Sequence, residues 1–158
     1  MIRPALLITF ALAGGCSLGL ERDAPESARF LIDAQRPERS TATDGEAVLE
    51  VGRFHAASAY ATSEFVYRRS DHGYQTDYYR GFLVAPELAI GDAARQWLAD
   101  AGVASAVVDA GGLVMPTHSL EGDVTALYGD FRAEPAAVLE LRIALIDHRS
   151  GRALLKRS

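Results

Sequence analysis

The chain of 158 residues has little of what most recognisable protein chemistry requires. It holds a single cysteine, Cys16, which excludes an intramolecular disulfide framework and a thiolate metal cluster. Lys156 is its only lysine, and 16 basic against 21 acidic residues give a formal charge of −5, so the clustered positive charge that nucleic-acid binding needs is missing. The remaining composition, 49% hydrophobic and 23% charged, is that of an ordinary globular protein of one domain.

Catalytic and metal-binding patterns are also absent from the sequence. Its four histidines are scattered, with no pair at ligand spacing on one predicted element. Asp71-His72 and Asp147-His148 lie next to each other, but no Gly-x-Ser-x-Gly elbow accompanies them. Gly111-Gly112 lacks the lysine of a phosphate-binding loop. We therefore expect no catalytic residue, no metal, no cofactor and no enzymatic activity.

The N-terminus has the layout of a secretory leader. Arg3 supplies a positive charge, residues 5–13 (ALLITFALA) form an uncharged apolar run, and small residues precede Cys16. The uncharged stretch continues to Leu20 but includes three glycines, and it falls short of the roughly 20 apolar residues that span a bilayer comfortably. A cleaved leader is the favoured interpretation, and an uncleaved anchor stays open as an alternative.

Residues 12–16 (LAGGC) resemble a bacterial lipobox, in which the cysteine is acylated and becomes the first residue of the mature protein. The resemblance implies a lipoprotein signal peptide over residues 1–15, lipidation of Cys16, and a lipidated tether over residues 16–28. Ser17 resembles the residue that follows the cysteine in outer-membrane lipoproteins. This implies a lipid-anchored protein on the periplasmic side of the outer membrane of a Gram-negative bacterium.

The remaining chain predicts an α+β fold, a mostly antiparallel sheet with one helix packed on one face. Pro86, Glu87 and Gly102 mark the start and the stop of a helix over residues 86–101. Its apolar positions recur at helical spacing and include Trp97, which we expect in the core. Runs of β-branched, aromatic or alternating residues predict strands, within residues 29–37, 47–54, 64–69, 74–84, 104–110, 120–128, 139–145 and 152–158.

One helix leaves this sheet incompletely covered. A sheet of six or seven strands has more apolar face than a helix only about 10–12 Å wide can cover. The sequence therefore predicts either a partner on the uncovered face or a further part of the fold that covers it.

Aromatic residues are concentrated in one region of the sequence, between Tyr67 and Phe82. Tyr78 and Tyr79 are successive in a predicted strand and should face opposite sides, so at least one is exposed or meets a partner. With Phe82 they are candidates for contact with a partner or a lipid. An ordinary core with aromatics on both faces is the alternative.

Five motifs, in their order and spacing, resemble the ABC-type transport auxiliary lipoprotein family, which includes the lipoproteins of paraquat-inducible loci. They are FVYRRSDHGYQTDYYRGFLVAP (65–86), RQWLADAG (95–102), VVDAGG (107–112), LEGDVTALYGDFR (120–132) and AAVLELRIALID (136–147). Residues 29–158 are identified on this basis as the family's domain. Relatives continue into a C-terminal helix, and this chain is expected to lack it.

The resemblance implies a function without chemistry in this chain. Such a lipoprotein is an accessory subunit of an ABC transporter whose substrate-binding protein has a mammalian-cell-entry domain. The system moves phospholipids or related apolar molecules between the inner and outer membranes. Expected partners are the mammalian-cell-entry protein, the permease and ATPase, and the membrane through the anchor; a homo-oligomer stays open. The alternative function is a structural lipoprotein that supports assembly of outer-membrane components.

Overall fold

The computed structural model describes residues 25–34 and 46–157. Cys16, the proposed signal peptide and most of the proposed tether lie outside these ranges, as do the last residues of the first predicted strand. The described chain forms nine strands and one helix, α1 (Pro86–Ala101). The strands are β1 (Ala28–Phe30), β2 (Val48–Val51), β3 (His55–Ala56), β4 (Glu64–Arg68), β5 (Tyr74–Phe82), β6 (Ala106–Asp109), β7 (His118–Asp130), β8 (Ala136–Asp147) and β9 (Arg152–Arg157).

All nine strands belong to one sheet, in which β7 is the central strand. One edge of β7 pairs with β8 along nearly its whole length, and β8 pairs with β9. The other edge of β7 pairs with β2, β3 and β4 at successive positions along its length. Beyond β2 the sheet continues with β6. Beyond β4 it continues with β5 and then β1. The fold is α+β, as the sequence predicts.

The sheet is mixed, which corrects the expectation of a mostly antiparallel one. Among the described strands, three pairs are antiparallel, β4–β5, β7–β8 and β8–β9, and five are parallel. The three antiparallel pairs join strands that follow each other closely in sequence. The parallel pairs join strands separated by longer connections, and the alternation of apolar residues carries no information on strand direction.

Helix α1 has the predicted boundaries. It starts at Pro86 and ends at Ala101. The next residue, Gly102, has a φ of +62°, the left-handed conformation of a helix C-cap, and its N–H donates to the Ala99 carbonyl. Trp97 is 40% exposed, so its prediction as a core residue is wrong. Its spacing puts it on the same face of the helix as Ile90 and Ala101, but spacing alone does not show how much of that face the sheet covers. No helix in the described ranges is long and apolar enough to cross a bilayer.

The core lies between α1 and the sheet. Val51, Phe54, Ile90 and Val124 are buried together there, and Val124 has no exposed surface. Gly122 lets the Phe54 ring lie directly on β7, because any Cβ at this position would overlap the ring. Helix α1 contacts β2, β3, β6 and β7, and so covers only one part of this face.

Candidate functional site

The three aromatic residues singled out in the sequence lie in or next to an irregular part of β5. Val66 of β4 pairs with Thr76 and Glu64 pairs with Gly81, so the β5 side holds extra residues in a wide bulge. The bulge breaks the alternation, and the rings of Tyr78 and Tyr79 meet edge to face at 5.3 Å. Tyr78 is 83% exposed, whereas Tyr79 is only 39% exposed.

Asp77 organises this bulge. Its Oδ1 accepts hydrogen bonds from the backbone N–H groups of Tyr79 (2.9 Å) and Arg80 (3.1 Å), and its Oδ2 accepts from the Tyr67 hydroxyl at 2.8 Å. These bonds hold the pKa of Asp77 below its ordinary value, with the Tyr79 backbone bond as the largest cause. Burial, and then the bond to Asp77, raise the pKa of Tyr67. The bulge is thus held by Asp77 of β5 itself, which is in turn bonded to Tyr67 of the neighbouring strand.

Phe82 follows the bulge and lines an apolar groove on the surface of the sheet. Its ring lies 4.8 Å from that of Phe65, and Tyr67 and Phe131 form a second edge-to-face pair at 5.2 Å. The groove has a volume of about 510 Å³. We call it the aromatic groove, and its principal side chains are Phe65, Tyr67, Phe82, Leu127, Phe131 and Leu139.

The aromatic groove lies on the same face of the sheet as α1. Leu127 lines the groove and also packs against the core under the helix, and it pairs directly with Leu139 of β8. Two positions along β8, Leu141 pairs with the core residue Val124. The groove is therefore the continuation of the helix-covered surface over β4, β5 and the far half of β7.

Behind the part of the sheet that α1 covers, the opposite face of the sheet is polar. A cleft of about 550 Å³ there is lined by charged side chains of both signs, including Glu50, Glu121, Asp123 and Arg142. The uncovered apolar surface that the sequence predicts thus lies beside the helix, on its own face of the sheet. The reason is that apolar residues of β4, β7 and β8 point to that face beyond the end of the helix contact.

Arginines lie at one end of the aromatic groove. The Arg69 guanidinium lies 4.7 Å from the centre of the Phe131 ring and 5.4 Å from that of Tyr67. Arg132 pairs with Asp71 at 2.9 Å and with Asp130 at 2.8 Å. No carboxylate of the described residues pairs with Arg69, so its charge is available to an anionic group at the groove entrance.

The aromatic groove has the size and the lining of a binding site. Within residues 25–34 and 46–157, no group of three His, Asp or Glu side chains could hold a metal ion. The volume of the aromatic groove falls in the range of about 300–1,000 Å³ typical of ligand sites, and its lining is mostly apolar. An apolar chain is the kind of ligand that such a lining favours.

No family model and no curated protein matches the chain. Solved structures do resemble it. One is protein XCC0632 from Xanthomonas campestris, of the family model DUF330: the identity is 20% and the TM-score 0.68, over 85% of this chain and 74% of that chain. Another is an uncharacterized protein with 18% identity and a TM-score of 0.56, over 76% of this chain and 73% of that chain. At these identities the likeness concerns the fold alone.

Sequence reasoning found one wall of the aromatic groove and missed the others. Phe82 was a candidate, and the structure brings it together with Phe131 and Leu139, which are distant in sequence. Tyr78 and Tyr79 are not among the residues that line the groove. Apolar side chains near the ends of β7 and β8 indicate in the sequence that these strands have an apolar face. Only the pairing of Leu127 with Leu139 in the structure shows that this is the face that carries Phe82.

Proposed function

We propose that the chain is an auxiliary lipoprotein of an ABC-type system that moves phospholipids or related apolar molecules between membranes. The observation that carries the proposal is the aromatic groove, an open site of about 510 Å³ with a mostly apolar lining. The resemblance of the five sequence motifs to the auxiliary lipoproteins supports it independently. In this proposal an acyl chain occupies the groove while ATP hydrolysis elsewhere in the system supplies the energy.

The contacts of the groove define the role of each wall. Phe65 and Phe82 supply ring faces and edges that an extended chain would lie against, and Leu139 supplies an aliphatic wall. Removing an acyl chain from water gains about 0.8 kcal/mol for each buried methylene, so even partial burial of a chain gives useful affinity. Arg69 would lie close to the anionic headgroup, because its guanidinium is at the groove end.

A matched pair of leucine variants tests the proposal. Leu139 lines the groove and is 51% exposed, whereas Leu154 on β9 is 57% exposed and is not among the groove residues. The full chain is incubated with a phospholipid that carries a photoreactive group on one acyl chain, illuminated and analysed by mass spectrometry. We expect crosslinks on peptides from β4, β5 and β8. Leu139→Arg should lose most of them, because the arginine places a charge in the groove, and Leu154→Arg should keep them.

Equal crosslinking in both leucine variants, or crosslinks spread evenly over the surface, would contradict lipid binding in the groove. The partners are tested separately. Co-purification with a mammalian-cell-entry protein and an ABC permease is expected for the transport function. Stable co-purification with an outer-membrane assembly protein and no ABC component would instead support the alternative, a structural lipoprotein.

A further inference from the structure

The loop between β6 and β7 carries an apolar tip that the groove and the core do not use. Leu113 and Met115 are 104% and 87% exposed, and Val114 between them is 52% exposed. We call these three residues the apolar tip. Gly111, with a φ of +80°, makes the turn that leads into it, and no charged residue occurs from 110 to 117.

The base of this loop is fixed to the sheet. β6 and β7 both run parallel to β2, so the loop has to return from the end of β6 to the start of β7. At one end the Gly112 N–H donates to the Asp109 carbonyl, and at the other the Thr117 N–H donates to the Val48 carbonyl at 2.9 Å. The apolar tip therefore projects from a pinned base, and it does not fold back to bury its side chains.

Two basic side chains lie on the hairpin that is hydrogen-bonded to the base of the loop. The β8–β9 hairpin is joined to the loop base, because the His148 N–H donates to the Thr117 carbonyl at 3.0 Å. This hairpin presents exposed Arg149 and Arg152, which we call the basic collar.

Most carboxylates at this end of the sheet are hydrogen-bonded or ion-paired. Asp147 accepts hydrogen bonds from the Ser150 hydroxyl and the Arg149 N–H, and Asp109 is paired with Arg95 at 2.7 Å. Glu46, before β2, is exposed. Glu46 and Asp147 keep their negative charge, but Arg149 and Arg152 form no ion pair with a carboxylate of the described residues, so both guanidinium groups are available to lipid phosphates.

We propose that the apolar tip inserts into the surface of an anionic lipid bilayer and that the basic collar contacts the lipid phosphates. An apolar tip beside basic residues is the arrangement that binds such an interface, because apolar burial and electrostatic attraction act together. A protein partner is disfavoured by size. Three convex side chains supply only a small part of the roughly 800 Å² per partner that a stable protein interface buries. A bilayer needs no complementary shape.

The proposal does not depend on the aromatic groove or on lipidation. A bilayer contact at the apolar tip would fix the orientation of the domain relative to the membrane. The basic collar would then face the membrane, and the aromatic groove would have a constant direction relative to the lipid surface.

Tryptophan placed at the tip tests the insertion. Trp97 is the only tryptophan of the chain and stays in every variant. The full chain with Met115→Trp is reconstituted in vesicles of phosphatidylethanolamine and phosphatidylglycerol with brominated acyl chains. We expect the emission added by the new residue to shift to shorter wavelengths and to be quenched by bromine. Tyr78→Trp is the comparison, because Tyr78 is about as exposed but lies in the β5 bulge, and its added emission should be quenched much less than that at position 115.

The following results test the insertion of the apolar tip and the role of the basic collar. Equal emission and quenching at positions 115 and 78 would overturn the proposal. So would a position 115 that is shielded from a water-soluble quencher but not quenched by bromolipid, because that result would assign the apolar tip to a protein contact. The basic collar is tested by the double variant Arg149→Gln, Arg152→Gln and by vesicles in which phosphatidylcholine replaces phosphatidylglycerol. Weaker quenching at position 115 in these two experiments would support the role of the basic collar. Unchanged quenching would overturn that role.

Discussion

Gly122 shows how closely single residues are fitted under the helix. A Cβ at this position would overlap the ring of Phe54, which is buried in the core. We expect Gly122→Ala to destabilise the domain by about 1–3 kcal/mol, because the ring has to move in a packed interior. Urea unfolding measures the difference. Gly112→Ala is the control, since a Cβ there meets only the Asp109 carbonyl at van der Waals distance; equal stabilities of the two variants would contradict the prediction.

Asp130 is the residue whose ionisation the structure changes most clearly. Hydrogen bonds from Arg132 lower the pKa of Asp130 to about 2. A carboxyl group whose pKa is lower in the folded state stabilises the fold above its unfolded pKa, and this contribution is lost as the pH falls from about 4 towards 2. Because the guanidinium of Arg132 is open to solvent, the effect of the pair on stability is small.

The Asp130 prediction is therefore tested by titration. We expect carboxyl carbon NMR to give a pKa for Asp130 near 2 and Arg132→Gln to raise it towards the ordinary value of an aspartate. Asp147 is the internal control, because its pKa is lowered chiefly by the Ser150 hydroxyl and should not respond to the variant. A pKa of Asp130 that is unchanged by the substitution would show that the Arg132 contact is absent in solution.

At the scale of elements, the helix is the part of the fold that the sequence predicts most completely. Local chemistry sets both its ends, since Pro86 suits the first turn and Gly102 takes up the left-handed cap. The β5 bulge is the opposite case. Asp77 accepts two local backbone bonds there, but it also accepts a hydrogen bond from Tyr67 of another strand, and no local pattern in β5 indicates that contact.

The packing of the helix is tested at its centre. Ile90 is buried against the sheet. Leu88 lies on the opposite side of the helix and is exposed. We expect Ile90→Ala to lower the free energy of unfolding by about 2–5 kcal/mol, because it leaves a cavity in the core. Leu88→Ala should change it by no more than about 0.5 kcal/mol. Similar losses in the two variants, measured by thermal or urea unfolding, would mean that α1 packs with a different face.

At the scale of the whole molecule, the attachment to a membrane remains a prediction from the sequence. Cys16 lies outside the described residues, and the lipobox-like pattern predicts that it becomes an acylated first residue. Intact mass of the membrane-extracted protein should show a chain that begins at Cys16 and carries diacylglycerol and acyl mass. Cys16→Ser should lack this mass. An unmodified mature chain, or one that retains Met1, would show that the segment is an ordinary leader or an uncleaved anchor.

The sequence by itself determined the elements that local chemistry governs: the helix and its ends, the β4–β5 hairpin, and the long alternating strands β7 and β8. It also indicated that one helix could not cover the sheet. Only the tertiary structure decided which strands run parallel, where the uncovered surface lies, and that Phe82, Leu127 and Leu139 share it. The physical reason is that strand direction and groove formation depend on pairings between residues far apart in the chain, and alternation along one strand does not record its neighbours.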